Sequence, residues 1–254
     1  MNAYHGRFYD QYFIGVEGDV EFYADEAQDT GGPVLELGCG TGRVLLAVAE
    51  TGIRIVGLDL ADDLLDVARA KLVEASGETQ ECAALVQGDM REFSLEQRFR
   101  LVTIPYRTFQ HLLTPVDQEQ ALTCIRDHLE EEGRLVFNTF DPLADLMAEG
   151  FRGRMRKDTD FIDRETGNRV VVWYNRQYDP EVQLLEQEII YEEMDRSGGV
   201  VGRIYGQLTL RYASRYEIQY LLELCGFELE ALYGDFEGGA YPGYGEQVWV
   251  ARKV

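Results

Sequence analysis

The sequence predicts an α/β fold in which a doubly wound, mostly parallel sheet carries an antiparallel β-meander insert. Three observations predict it. Over residues 33–140, short β-branched or apolar runs alternate with helical patterns, as repeated βα units around a parallel sheet require. After Gly150 the hydrophobic period changes from helical to alternating. From Ser214 onward the chain returns to one helical pattern and two strand-like runs that would close the sheet.

In order, the core strands are Val34–Leu37, 54–58, 83–86, 100–104 and 134–140, separated by segments long enough for right-handed crossovers. The helix after the second strand places Ala61, Leu64, Leu65, Ala68 and Leu72 on one face, with Asp62, Asp63, Asp66 and Lys71 elsewhere, so it packs on the sheet. Leu122, Ile125 and Leu129 form a second apolar stripe, with Gly133 as the predicted helix stop. Asp141-Pro142 reads as an N-cap followed by proline in the first helical turn. The insert offers three strands, 170–174, 184–191 and 204–212, with turns at Asp179-Pro180 and Ser197-Gly198-Gly199. In the third, Ile204, Leu208, Leu210 and Tyr212 share one face and Arg203, Gln207, Thr209 and Arg211 the other. Ser214 and Glu217 have capping-box spacing ahead of Ile218, Leu221, Leu222 and Cys225, and 227–233 and 247–251 are the closing strands.

Composition narrows the function. The 254 residues carry 24 Lys plus Arg against 46 Asp plus Glu, a net charge of −22 that repels phosphate backbones and anionic lipid. Binding to nucleic acid or a membrane is therefore not expected. The longest wholly apolar run, residues 44–49, falls far short of the ~20 needed to span a bilayer, and residues 1–12 have no signal-peptide core, so a cytoplasmic location is expected. Cys39, Cys82, Cys124 and Cys225 are scattered without a C-x-x-C pair, which suits reduced thiols and predicts no metal site.

The chemistry centres on the run Val-Leu-Glu-Leu-Gly-Cys-Gly-Thr-Gly-Arg at residues 34–43, a strand entering Gly38, Gly40 and Gly42 and then a helix. Bare backbone there lets amides and a helix N-terminus approach a ligand's carboxylate or phosphate. Asp59 ends the second strand 23 residues after Glu36, about the separation that sets a carboxylate over a nucleoside ribose.

On these residues the sequence resembles the class I S-adenosylmethionine-dependent methyltransferases, whose E-x-G-x-G-x-G loop is spelled by Glu36, Gly38, Gly40 and Gly42. A dinucleotide fingerprint would read G-x-G-x-x-G instead. The resemblance extends through Gly57-Leu-Asp-Leu60, Gln87-Gly-Asp-Met-Arg91 and Tyr106-Arg-Thr-Phe-Gln-His-Leu112. The segments 211–217 and 224–227 are similar to small-molecule members, including the amino-sugar N-methyltransferases.

The resemblance implies a Rossmann-like seven-stranded sheet and S-adenosyl-L-methionine as cofactor. The loop from Gly38 through Cys39, Gly40 and Thr41 to Gly42 would hold its methionine part and Glu36 its amino end. Asp59 would bond the ribose and Leu60 pack on adenine. Asp89 and Met90 would meet the adenine edge, with Pro105 and Tyr106 completing the site. Candidate catalytic residues are His111, Tyr12 and Arg107. His111 is either a proton acceptor or a structural ring. Arg107 meets either a substrate carboxylate or a local acid. Tyr12, in a Y-D-x-x-Y segment, either closes over the cofactor or packs with Phe8 and Phe13. Phe109 is a further candidate beside them, and Tyr205, Arg211, Tyr212, Tyr241 and Tyr244 are positional candidates for the acceptor pocket. The expected organisation is a single methyltransferase domain, 1–254, with an N-terminal helical lid (1–32), a cofactor-binding core (33–150), the β insert (151–212) and closing elements (213–254). The expected activity is methyl transfer to nitrogen or oxygen of a small molecule. The alternatives are a nicotinamide-dependent oxidoreductase and a catalytically inactive cofactor-binding module. The sequence leaves monomer and homodimer open.

Overall fold

A computed structural model describes residues 6–143 and 154–254. The chain divides into two compact units. The larger, Gly15–Asp141 with Ala213–Val254, holds α2 (Asp19–Thr30), β1 (Val34–Leu37), α3 (Arg43–Glu50), β2 (Ile55–Asp59), α4 (Asp62–Glu74), α5 (Gly77–Cys82) and β3 (Ala83–Gln87). It continues through β4 (Phe99–Ile104), a 3-10 turn (Thr108–His111), α6 (Pro115–His128), β5 (Leu129–Asp141), α7 (Arg215–Leu224), β10 (Phe227–Tyr233) and β11 (Gly245–Lys253). The sheet has the seven strands expected, in the order β10-β11-β5-β4-β1-β2-β3. All neighbouring pairs from β5 to β3 are parallel, and β11 lies antiparallel between β5 and β10.

Strand alternation explains how both faces are covered. Leu35, Leu37, Leu135 and Phe137 join one core with Leu122 and Ile125 of α6 and Ile218 and Leu222 of α7. Val34 and Val136, pointing the other way, join Tyr23 and Ala27 of α2 and Val44, Leu45 and Val48 of α3. The chain winds outward through β2 and β3 on one side of β1, then crosses to β4 on the other. The C-terminal ends of β1 and β4 therefore form the crevice where open α/β sheets bind ligands.

The smaller unit combines the described residues up to Ile14 with those of Pro142–Tyr212. Its antiparallel sheet has four strands, β6 (Arg156–Ile162), β7 (Arg169–Asp179), β8 (Leu184–Met194) and β9 (Val200–Arg211), one more than predicted. The missed strand, Arg-Lys-Asp-Thr-Asp-Phe-Ile, is an exposed edge whose charges blunt further pairing, which erases the apolar alternation. α1 (Gly6–Tyr12) packs Phe8 on Phe161 and Tyr191, while Arg7 and Gln11 hydrogen-bond the buried Asp163. These bonds hold the Asp163 carboxyl far below its ordinary pKa against the cost of its burial.

Two boundaries also differ. α6 stops at His128, and Leu129 already belongs to β5. Gly133 is no helix stop: a Cβ there would lie 3.0 Å from the Glu130 carbonyl oxygen, so the glycine serves a tight irregularity within β5, where the register with β4 shifts. Asp141 ends β5, and the helix predicted beyond Asp141-Pro142 lies mostly outside the described residues.

Candidate active site

The glycine loop begins where β1 ends, and Gly38, Gly40 and Gly42 all have positive φ, 69°, 54° and 81°. L-residues rarely adopt that conformation. Gly38 and Cys39 donate N–H to the Leu58 carbonyl (2.7 and 3.2 Å), and Gly42 caps α3. Asp59, at the end of β2, accepts the Gly40 N–H at 2.7 Å through one oxygen and the Ala61 N–H at 2.8 Å through the other. Its carboxylate thus braces the loop, and burial raises its pKa against those two bonds. Its backbone oxygen accepts from Gly88, tying the turn after β3 to the same corner.

Glu36 is buried in β1, and its Oε2 has no hydrogen-bond partner. Burial pushes its pKa up to about 8; Arg43 opposes the rise, and Asp59 and Asp19 add to it. A buried carboxylate oxygen without a donor is costly, which marks this corner as one that fits a cationic group. Arg43 donates to both oxygens of the buried Asp19, at 2.7 Å each, and its guanidinium lies 5.7 Å from the Tyr106 ring centroid. Leu60, beyond Asp59, is an exposed apolar side chain, and the buried Thr41 offers its carbonyl to Lys71 at 3.2 Å.

Asp89 and Met90 follow β3. The Asp89 carboxylate is gripped by Arg91 through Nε and Nη2 (3.1 and 2.6 Å), which holds its pKa below the ordinary range. Across the crevice, Pro105 leads into Tyr106 and Arg107, two successive non-glycine residues with φ of 53° and 64°. Such a conformation costs on the order of 1–3 kcal/mol per residue and persists only where the surroundings enforce it. Arg107 pairs with Glu246 of β11, Nη2 to Oε2 at 2.6 Å, so of its two sequence readings the structure shows the local acid. His111 ends the 3-10 turn. Its side chain is exposed at one side, while desolvation by the surrounding protein lowers its pKa to about 4, so the ring is neutral at pH 7 and a weak base.

A family profile described as a methyltransferase domain matches residues 34–133, which contain the glycine loop, Asp59, Asp89 and His111. The chain carries a methyltransferase domain of the S-adenosylmethionine-dependent type. Cypemycin N-terminal methyltransferase of Streptomyces sp is 26% identical over 223 residues, 87% of this chain and 82% of that one. The dTDP-3-amino-3,6-dideoxy-alpha-D-glucopyranose N,N-dimethyltransferase of Streptomyces fradiae is 30% identical over 143 residues, 52% of this chain and 53% of that one. Among solved structures, the CcbJ methyltransferase from Streptomyces caelestis superposes with a TM-score of 0.82 at 25% identity, covering 100% of this chain and 98% of that one.

The structure places Glu36, residues 38–42, Asp59, Leu60, Asp89, Met90, Pro105, Tyr106, Arg107 and His111 at or after the C-terminal ends of β1, β2, β3 and β4. Tyr12 belongs to the smaller unit, where its ring packs on Phe13 and Tyr191 and its hydroxyl donates to Asp158 at 2.8 Å. Phe109, a neighbour of the candidate catalytic residues, is buried in the core against Phe137, because the 3-10 turn points it inward. Tyr212 is likewise buried, edge-on to Tyr178, and Arg211 bonds the Val182 carbonyl and Gln183. Tyr241 donates to Asp141 at 2.9 Å, and Tyr205 and Tyr244 are exposed. The sequence reading missed the Arg43–Asp19 pair. One signal was available: an arginine opening a helix opposes the macrodipole, so such a residue is held by something else. Among the described residues no helix is long and apolar enough to cross a membrane.

Proposed function

We propose that this methyltransferase acts on a nitrogen of a small-molecule acceptor, with oxygen the less supported atom. The unpartnered Glu36 Oε2 beside a left-handed glycine loop supports the cofactor's place, because that corner fits an amino-acid ammonium. Two relatives are an N-terminal and an amino-sugar N,N-dimethyltransferase, which favours nitrogen. Glu36 receives the amino group and residues 38–42 the rest of the methionine portion. Asp59 meets the ribose with the lone pairs left by Gly40 and Ala61, and Leu60 covers one face of adenine. Asp89, fixed by Arg91, and Met90 border the adenine edge, with Pro105 and Tyr106 opposite.

When bound, the cofactor supplies a methyl group on a positively charged sulfur. The protein's own contribution is to position and dehydrate the acceptor, which accounts for much of the acceleration in such displacements. An amine that enters uncharged needs little base help, so the neutral, weakly basic ring of His111 borders the acceptor without having to hold its proton at pH 7. The chain is proposed to work as one domain over 1–254, with 33–150 as the cofactor-binding core and 151–212 as the insert; of the expected lid 1–32, α2 instead packs Tyr23 and Ala27 into the core of the large sheet.

Calorimetric titration with S-adenosylmethionine and with NAD(P)(H), followed by a screen of amine and hydroxyl acceptors for S-adenosylhomocysteine release, tests the reading. Saturable cofactor binding and turnover of an amine are expected. Tight binding with no turnover of any acceptor would leave a binding module, and turnover confined to hydroxyl acceptors would reassign the atom. Asp59→Ala should weaken cofactor binding by roughly 1.5–3 kcal/mol, about 10- to 150-fold, the scale of hydrogen bonds to a charged group. Unchanged affinity would remove Asp59 from the site.

A further inference from the structure

The turn after β4 is held by a half-buried polar clamp that the sequence reading did not assign. The Arg107 backbone N–H donates to Asn138 Oδ1 at 3.3 Å, and its side chain donates to Glu246 Oε2 through Nε (3.1 Å) and Nη2 (2.6 Å). Asn138 Nδ2 donates to Glu246 Oε1 at 2.6 Å, and the buried Tyr23 hydroxyl donates to Asn138 Oδ1 at 3.0 Å. These bonds leave one orientation for the Asn138 amide, since its NH2 must face the carboxylate and its oxygen must face two donors. The guanidinium also lies 5.0 Å over the Phe140 ring.

The clamp acts where the backbone is strained, at the left-handed pair Tyr106–Arg107. One residue further, Thr108 occupies the space beside the glycine loop: a Cβ on Gly38 would lie 2.2 Å from its methyl. A shift of the turn therefore moves the wall that faces Gly38, and it carries His111 with it.

We propose that Glu246, oriented by Asn138, is a positioning residue for the reaction: it enforces the Tyr106–Arg107 backbone and so sets the width of the crevice between the two loops. Its kinetic consequence rests on the methyltransferase reading above; its structural consequence does not. Positioning errors of about 1 Å cost on the order of 100-fold in rate.

Three variants test it. In E246Q one amide N–H must face another, whichever way Asn138 turns, and kcat should fall about 10- to 100-fold with a smaller change in KM. In N138D/E246Q the pattern is rebuilt with the charge moved. The carboxylate introduced on β5 accepts from Tyr23, from the Arg107 N–H and from the amide introduced on β11, whose own oxygen accepts from the guanidinium. That pair should recover kcat to within about threefold. R107M/E246L removes both charges and leaves the Asn138 NH2 unpaired, so it lowers the melting temperature and retains the loss of kcat. Hydrogen exchange in cofactor-free protein supplies the second arm: the peptide spanning 105–112 should exchange about tenfold faster in E246Q and at the original rate in the rescue pair. Wild-type kcat and wild-type exchange in E246Q would overturn the proposal, as would losses that follow melting temperature and are not repaired by N138D. If the unaltered protein releases no S-adenosylhomocysteine, the methyltransferase reading fails, and the exchange arm alone decides the clamp.

Discussion

Alanine at Gly38 should lower stability by about 2–5 kcal/mol and reduce cofactor affinity by more than about 100-fold. Two separate costs add. At φ 69° an L-residue pays on the order of 1–2 kcal/mol for its Cβ. The new methyl would also lie 2.2 Å from Thr108 Cγ2, an overlap of the kind that costs about 1–3 kcal/mol in packed surroundings. Thr108 cannot swing away cheaply, since its hydroxyl donates to the Pro105 carbonyl at 2.7 Å and its side chain is β-branched. The loop must move instead, and with it the Gly38 N–H, which is bonded to Leu58, and the Gly40 N–H, which is bonded to Asp59. Urea unfolding and calorimetric titration measure both effects. The double variant G38A/T108S deletes the clashing methyl and keeps the hydroxyl, so about half of the lost stability should return. A G38A protein with unchanged affinity would show that the loop's backbone is not the binding surface.

Gly38 was legible because positive φ and close approach leave a mark in residue type, and the same holds for Asp59, whose place at a strand end follows from the strand pattern. The Arg107–Glu246–Asn138 clamp left no such mark. It depends on β11 entering antiparallel beside β5, in a register that sets Glu246 opposite Phe140 and Val248 opposite Asn138. Periodicity identifies a closing strand and does not say which residue faces which. Asp19 was equally hidden, because its partner Arg43 lies 24 residues away across β1. The β5 boundary failed for a local reason: Leu129 satisfies a helical stripe and a buried strand start alike. Only the turn at Glu132, with φ 61°, separates the two.

Glu36 yields the second large effect, read through pH. Its folded pKa, raised to about 8 by burial, stands well above the free-carboxylate value of 4.5. Between those values the folded cofactor-free protein keeps a proton that the unfolded chain has released. Stability from this group is therefore complete below about pH 4.5 and is lost as pH rises through 8, by up to about 5 kcal/mol at 1.36 kcal/mol per pKa unit. Glu36→Gln should flatten that slope and leave the cofactor-free protein more stable than the parent at pH 8–9. Affinity moves the other way. At pH 7 an α-ammonium is still mostly charged, and placing it against Glu36 favours the carboxylate, so binding should expel about one proton and tighten as pH rises from 6 to 7. Titrations in buffers of different ionisation enthalpy count that proton. The count should fall toward zero in Glu36→Gln, whose affinity should also drop about 10- to 100-fold, the scale of a charged hydrogen bond. An identical proton count in the variant would place the ammonium elsewhere and leave the orphaned oxygen without a ligand.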